Sequence, residues 1–205
     1  MPKLAPTLLA LFAALPARAD APKAFIALRD RAEPVETLTT FLDRYVGHCN
    51  DPFEKAACLA NARRDRTQMT DHSYYAILGE SACRMLRAGA YNPASRELRL
   101  DLTPFFEAGD FALTDGAPIG LDGDGRPRIA LLPMTSSLPS GWLPMDMERL
   151  LRSGQVRVHL IFKPLGLWSL PDRSGGKLEG VRSKFLAVRL VNARTGEEIA
   201  LHVAR

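Results

Sequence analysis

His48 and Cys49 stand side by side, and an imidazole next to a thiol is the combination a cysteine nucleophile needs, since a base raises the thiolate fraction. Neighbouring residues in a loop seldom face each other, however, and no hydrolase signature surrounds this pair. The remaining histidines, His72, His159 and His202, are scattered singly without H-x-x-x-H or C-x-x-C spacing, so zinc is not expected. Ser136-Ser137 and Ser140-Gly141 lack the G-x-S-x-G elbow of a serine hydrolase. Asp122-Gly123-Asp124-Gly125 groups oxygen ligands of the hard type that calcium prefers. Arg128 and Leu132 then occupy positions where further ligands belong, and the run reads as a hairpin turn. On these residues no catalytic group, metal or cofactor is assigned.

Cysteine chemistry depends on compartment. The N-terminus has one cation, Lys3, an apolar run over residues 4–15, and then Pro16-Ala17-Arg18-Ala19 with small residues at the cleavage positions, which is the pattern of a secretory signal peptide over residues 1–19. The run is too short to span a bilayer, and no later stretch reaches that length, so no transmembrane segment is expected after cleavage. The expected destination is the periplasm or the cell exterior. There the three cysteines, Cys49, Cys58 and Cys83, meet an oxidising environment, and a disulfide is favoured over a metal site. Cys49–Cys58 is the preferred pair because it is closest in sequence, and Cys58–Cys83 is the alternative. Losing Lys3 and Arg18 takes Lys+Arg from 27 to 25 against 23 acidic residues, a net charge of +2, with charges interspersed along the chain. Nucleic acid is therefore not an expected partner.

These residues need elements to hold them. Residues 20–32 read as an unpatterned lead-in. Pro34 suits the first turn of a helix, followed by Val35, Leu38, Phe41, Leu42, Tyr45 and Val46 at helical spacing, with Gly47 as the left-handed stop. Asp51-Pro52-Phe53-Glu54 resembles a capped start to a second helix running to Arg64, so the two would form a helical hairpin with Cys49 in its loop. Closing that loop covalently is worth about 2–3 kcal/mol on the chain-entropy account. Arg63, Arg64 and Arg66 would complement the dipole of the helix end or meet an anionic envelope surface.

From Tyr74 the pattern changes to short strands. Tyr74–Leu78, residues 82–86, Glu97–Leu102, 111–113, 119–121 and 128–132 are expected strands, with a turn at Asn92-Pro93-Ala94-Ser95. Residues 133–144, rich in Ser, Gly and Pro, read as a loop, and 145–151 as a short helix. Val156, Val158, Leu160 and Phe162 alternate with Arg157, His159, Ile161 and Lys163, 185–191 resumes the strand pattern, and Gly196 suits a bulged turn into Glu198–Val203. Trp168 reads as core, while Trp142 lies in the loop. The expected fold is α+β, one mature domain over 20–205 with a helical part at 20–70 and a β-rich part at 71–205: an N-terminal helical hairpin followed by an antiparallel β-sandwich or open barrel.

The stretches Phe41-Leu42-Asp43-Arg44-Tyr45-Val46-Gly47-His48-Cys49, Leu102-Thr103-Pro104-Phe105-Phe106 and Ala112-Leu113-Thr114-Asp115-Gly116-Ala117-Pro118 resemble an uncharacterised family of exported bacterial proteins. The resemblance implies export and a single domain and no catalytic residues. The reading is a non-catalytic exported envelope or secreted module that binds a partner protein or surface. The alternative is an exported hydrolase whose site is assembled from distant residues such as His72, His159 or Asp115. A deep pocket holding His beside Ser, Cys or a carboxylate would favour the enzyme, and a shallow apolar patch the binding module.

Overall fold

The computed structural model describes residues 21–49, 53–79, 85–123, 125–171 and 175–204. The proposed signal peptide, the Asp51-Pro52 helix start and Cys83 lie outside them. In chain order the elements are α1 (Ala21–Arg29), β1 (Glu33–Pro34), α2 (Leu38–Val46), α3 (Lys55–Met69), β2 (Tyr74–Leu78), β3 (Leu86–Asn92), β4 (Glu97–Leu102), β5 (Phe105–Ala108), β6 (Phe111–Asp115), β7 (Leu132–Ser137), α4 (Pro144–Arg152), β8 (Val156–Pro171), β9 (Lys177–Asn192) and β10 (Glu198–Val203).

The alternating stretch beginning at Val156 becomes β8, which pairs with β9 in a long antiparallel hairpin at the centre of a seven-stranded sheet. Val156, Val158, Leu160 and Phe162 point into the main core, as their spacing predicts. The strand order is β1-β2-β8-β9-β6-β5, with β10 also on β9. One edge of β9 is thus shared: β6 pairs with residues 179–183 in parallel, and β10 with residues 187–191 in antiparallel sense. A second, antiparallel sheet of β3, β4 and β7 supplies Leu98, Leu100, Leu102 and Met134 to the same core. Helix α4 adds Met147, Leu150 and Leu151, and its start is fixed by Pro144 and by the Asp146 carboxylate, which accepts the Leu143 amide at 2.9 Å.

Helix α2 buries Leu38, Phe41, Leu42 and Tyr45 in that core. It is capped by Thr37, whose hydroxyl accepts the Thr40 amide at 3.1 Å, and it ends at Gly47 with φ 91°. Pro34 therefore does not start the helix. It lies in the two-residue edge strand β1, beside β2, where a missing N–H removes nothing from the ladder. Residues 20–32 are not an unpatterned lead-in either: α1 packs Phe25 against Ile161 and Ala187 on the opposite face of the large sheet.

The expected N-terminal helical hairpin followed by an antiparallel sandwich or open barrel is not what the chain forms. Two helices make a hairpin unit when each offers the other an apolar face, but α3 buries only Ala62 and Met69. Helix α2 spends its face on the sheets instead, and the N-terminal region also contributes β1 to the large sheet. That sheet is mixed, because β1 runs parallel to β2 and β6 parallel to β9. The architecture is mostly β, in two sheets. The expected loop over 133–144 also contains β7, where Met134, Ser136 and Leu138 point inward alternately despite the serines and proline.

Candidate functional site

A cleft of about 350 Å³ lies where three segments distant in sequence converge: the start of α2, the end of β2 and the whole of β5. Leu38, Leu78, Phe105 and Phe106, all largely buried, form its apolar surface, and Ile77 beside them is 55 % exposed. Glu36 and Glu107 also line it, and among the described residues that line it there is no lysine, arginine, histidine, serine or cysteine. The fold explains the position. Thr37 must cap α2, so Glu36 and Thr39 flank the helix start, and the β5–β6 turn is held close to it, with Thr39 Cγ2 3.2 Å from where a Cβ on Gly109 would lie. A cleft open to water that mixes apolar and carboxylate surface can bind a partner, and among its described residues no nucleophile stands beside a base.

The cysteines, histidines and Asp115 considered from the sequence lie outside the described lining of this cleft. Cys49 and Cys58 form the disulfide, with Cα atoms 5.9 Å apart, and it ties the loop after α2 to the first turns of α3. His48 beside it faces Asp43 at 3.5 Å and Asp110 at 3.7 Å and meets the Phe111 ring edge-on. With Cys49 committed to the disulfide, His48 has no thiol to activate. Arg66 is not a surface cation: its guanidinium donates to the Tyr45 and Val46 carbonyls at 3.0 and 3.1 Å, capping α2 from α3, while Arg63 and Arg64 are exposed. The Asp122 carboxylate accepts the Arg126 amide at 2.8 Å, as a turn residue does. Trp168 is buried beside Phe105 and Ala112, and Trp142 packs against the main core.

His72, His159 and Asp115 do not converge. His72 pairs with Glu33 at 2.7 Å across the β1 edge. His159 Nδ1 and the Tyr75 hydroxyl are 2.5 Å apart on the sheet face that carries α1. Burial, and the nearby guanidiniums of Arg189, Arg157 and Arg29, lower the affinity of His159 for a proton, so the neutral ring is favoured; burial also raises the Tyr75 pKa. Asp115 ends β6 and accepts the Phe185 amide at 2.9 Å, which fills the stretch of β9 between its β6 and β10 pairings. Burial raises the Asp115 pKa, and burial lowers that of His202 while the nearby Asp115 carboxylate acts to raise it. Thr114 and Ser183 are buried beside it, but their hydroxyls donate to backbone carbonyls of Gly116 and Thr114 at 2.6 and 2.7 Å. This cluster closes a gap in the sheet and leaves no hydroxyl free to act as a nucleophile.

The sequence carries no local sign of the cleft, because its walls are ordinary core residues whose outer ends happen to meet. Only the Thr-Pro-Phe-Phe run around β5 falls within a stretch noted above. A family described as one of unknown function matches the chain over residues 1–205. No curated protein and no solved structure matches it.

Proposed function

From the premise that the chain belongs to DUF6066, a family of unknown function, we propose that it is a non-catalytic module, exported to a bacterial periplasm or cell exterior, that binds a partner protein through the cleft beside β5. The observation that carries this reading is a cleft open to solvent, with the apolar Ile77 side chain standing 55 % exposed beside Phe105 and Phe106. Covering such a surface is favourable at about 25 cal/mol per Å². Export is supported by the Cys49–Cys58 bridge, which an oxidising compartment maintains.

The test is site-specific photo-crosslinking in the producing cells. A photoreactive side chain at position 77 is expected to give an adduct of defined mass in the envelope or medium, absent when the same group is put at the exposed position 149 on α4. No adduct from position 77, or an adduct formed only with cytoplasmic protein, would sink the reading.

A further inference from the structure

We infer that the outer face of the large sheet carries a phosphoryl-binding site, in which Arg182, Lys184 and Lys163 meet the oxygens of one phosphate group. None of the three lines the cleft beside β5, and the inference does not rest on the reading above.

Strand register brings these side chains together. Val181 and Phe185 point into the main core, so alternation along β9 turns Arg182 and Lys184 to the opposite face. Lys163 of β8 is paired directly with Lys184, and Gly166 directly with Arg182. Opposed side chains start about 5 Å apart and same-face neighbours along a strand about 7 Å apart, so three cationic side chains rise from one small patch of rigid backbone. The patch is open to water. Toward one end of the hairpin this face is covered by α1 over Ile161 and Ala187, and toward the other by Met85 and Ile129 around Trp168. Between those covers Arg182 and Lys184 are exposed and Lys163 is half-buried.

Charge and shape select the ligand. Two lysines set directly opposite each other repel, and such a pair destabilises a sheet until an anion neutralises it. Among the described residues none of the three cations joins an ion pair. Asp115 lies near enough for Lys184 to favour its charged form, but it stands opposite Ser183 on the core side and its carboxylate accepts the Phe185 amide. The Arg182 guanidinium lies across β8 at Gly166, with Nε and Nη2 3.1 and 3.4 Å from where a Cβ on that glycine would lie. A side chain at position 166 would displace it, so the bare strand gives Arg182 a fixed seat. From there its fork can take two oxygens of one group while the lysines, as point charges, meet the third. A phosphate monoester offers three such oxygens and about −1.5 to −2 charge at neutral pH, whereas a carboxylate offers two oxygens and a single charge.

The test is an NMR titration of the purified protein with methyl phosphate and with acetate, each balanced to equal ionic strength with sodium chloride. Flotation with phosphatidylcholine vesicles, with or without phosphatidic acid, accompanies it. Methyl phosphate is expected to shift the Arg182 Nε–H resonance saturably at millimolar concentration, and acetate to bind about fivefold more weakly. Arg182→Lys keeps the charge and loses the fork, and is expected to weaken methyl phosphate binding about fivefold. Lys184→Gln is expected to weaken it as well, yet to raise the melting temperature of the free protein by about 1–3 °C, because it removes one of two opposed like charges. Flotation only with phosphatidic acid would make a lipid headgroup the source of the phosphate, and no flotation a soluble phosphate compound. No saturable shift at Arg182, equal binding of acetate, or undiminished binding by Lys163→Gln with Lys184→Gln would overturn the site.

Discussion

Asp115 does structural work that its chemistry alone would not suggest. Its carboxylate completes the hydrogen bonding of β9 where no strand lies alongside, and for that it accepts partial burial, which raises its pKa. His159 and His202 face the opposite bias, since burial lowers the pKa of each from 6.5. Both bind a proton more weakly folded than unfolded. Their contribution to stability is therefore complete above 6.5 and lost as pH falls through their lower folded values. Asp115 acts in the other direction: its raised pKa favours the folded state only below its folded value, and that contribution is lost as pH rises through it. Melting temperature is thus expected to fall between neutral pH and about pH 5, where the histidines titrate. His159→Gln should flatten that fall in thermal scans at the two pH values. An unchanged slope would mean that His159 keeps its ordinary proton affinity.

At the scale of elements, α3 is the part held least by apolar packing. Only Ala62 and Met69 are buried, and what fastens the helix is the disulfide, the 2.9 Å Arg44–Asp65 pair and the Arg66 bonds to the end of α2. Exposed ion pairs contribute little, so the bridge carries much of the attachment. Cys58→Ser is expected to cost about 2–3 kcal/mol by chemical denaturation and to speed hydrogen exchange in α3 far more than in β8 and β9. Uniform exchange changes would show that the bridge stabilises the whole molecule equally. The polar character of α3 is also why its relation to α2 was hard to read from the sequence. The spacing of Leu38, Phe41, Leu42 and Tyr45 identifies a helix with a buried face, but not whether a helix or a sheet covers that face. Strands with strict alternation, Tyr74–Leu78, Glu97–Leu102 and the first half of β8, are legible for the same local reason. The parallel β6–β9 pairing is not legible, because nothing in Phe111–Asp115 specifies a partner so far along the chain. The cleft is hidden doubly, being made of three such segments with no motif in any of them.

Across the whole molecule, one core joins both sheets with α2 and α4, while α1 covers a separate cluster on the outer face of the large sheet. Phe25 at 1 % exposure anchors that outer cluster, so α1 is part of the working fold. Deleting residues 1–19 is expected to leave the denaturation midpoint unchanged. Deleting through Arg31 should lower stability by about 3–5 kcal/mol, the range for losing a buried aromatic residue. A matching loss from the shorter deletion would place part of the leading segment in the folded core. The β8–β9 hairpin dominates everything else, since β2, β6 and β10 all pair with one or other of its strands.

That central hairpin is synthesised after β2 and β6, two of the strands that dock on it. Phe111 waits for Glu179, 68 residues later, which at about 5–20 residues per second means roughly 3–14 s of synthesis. Over that interval β2 and β6 lack the central strands on which they dock, so this part of the nascent chain stays open to chaperones until β8 and β9 emerge. The large sheet is thus assembled around its latest strands and not outward from its earliest ones.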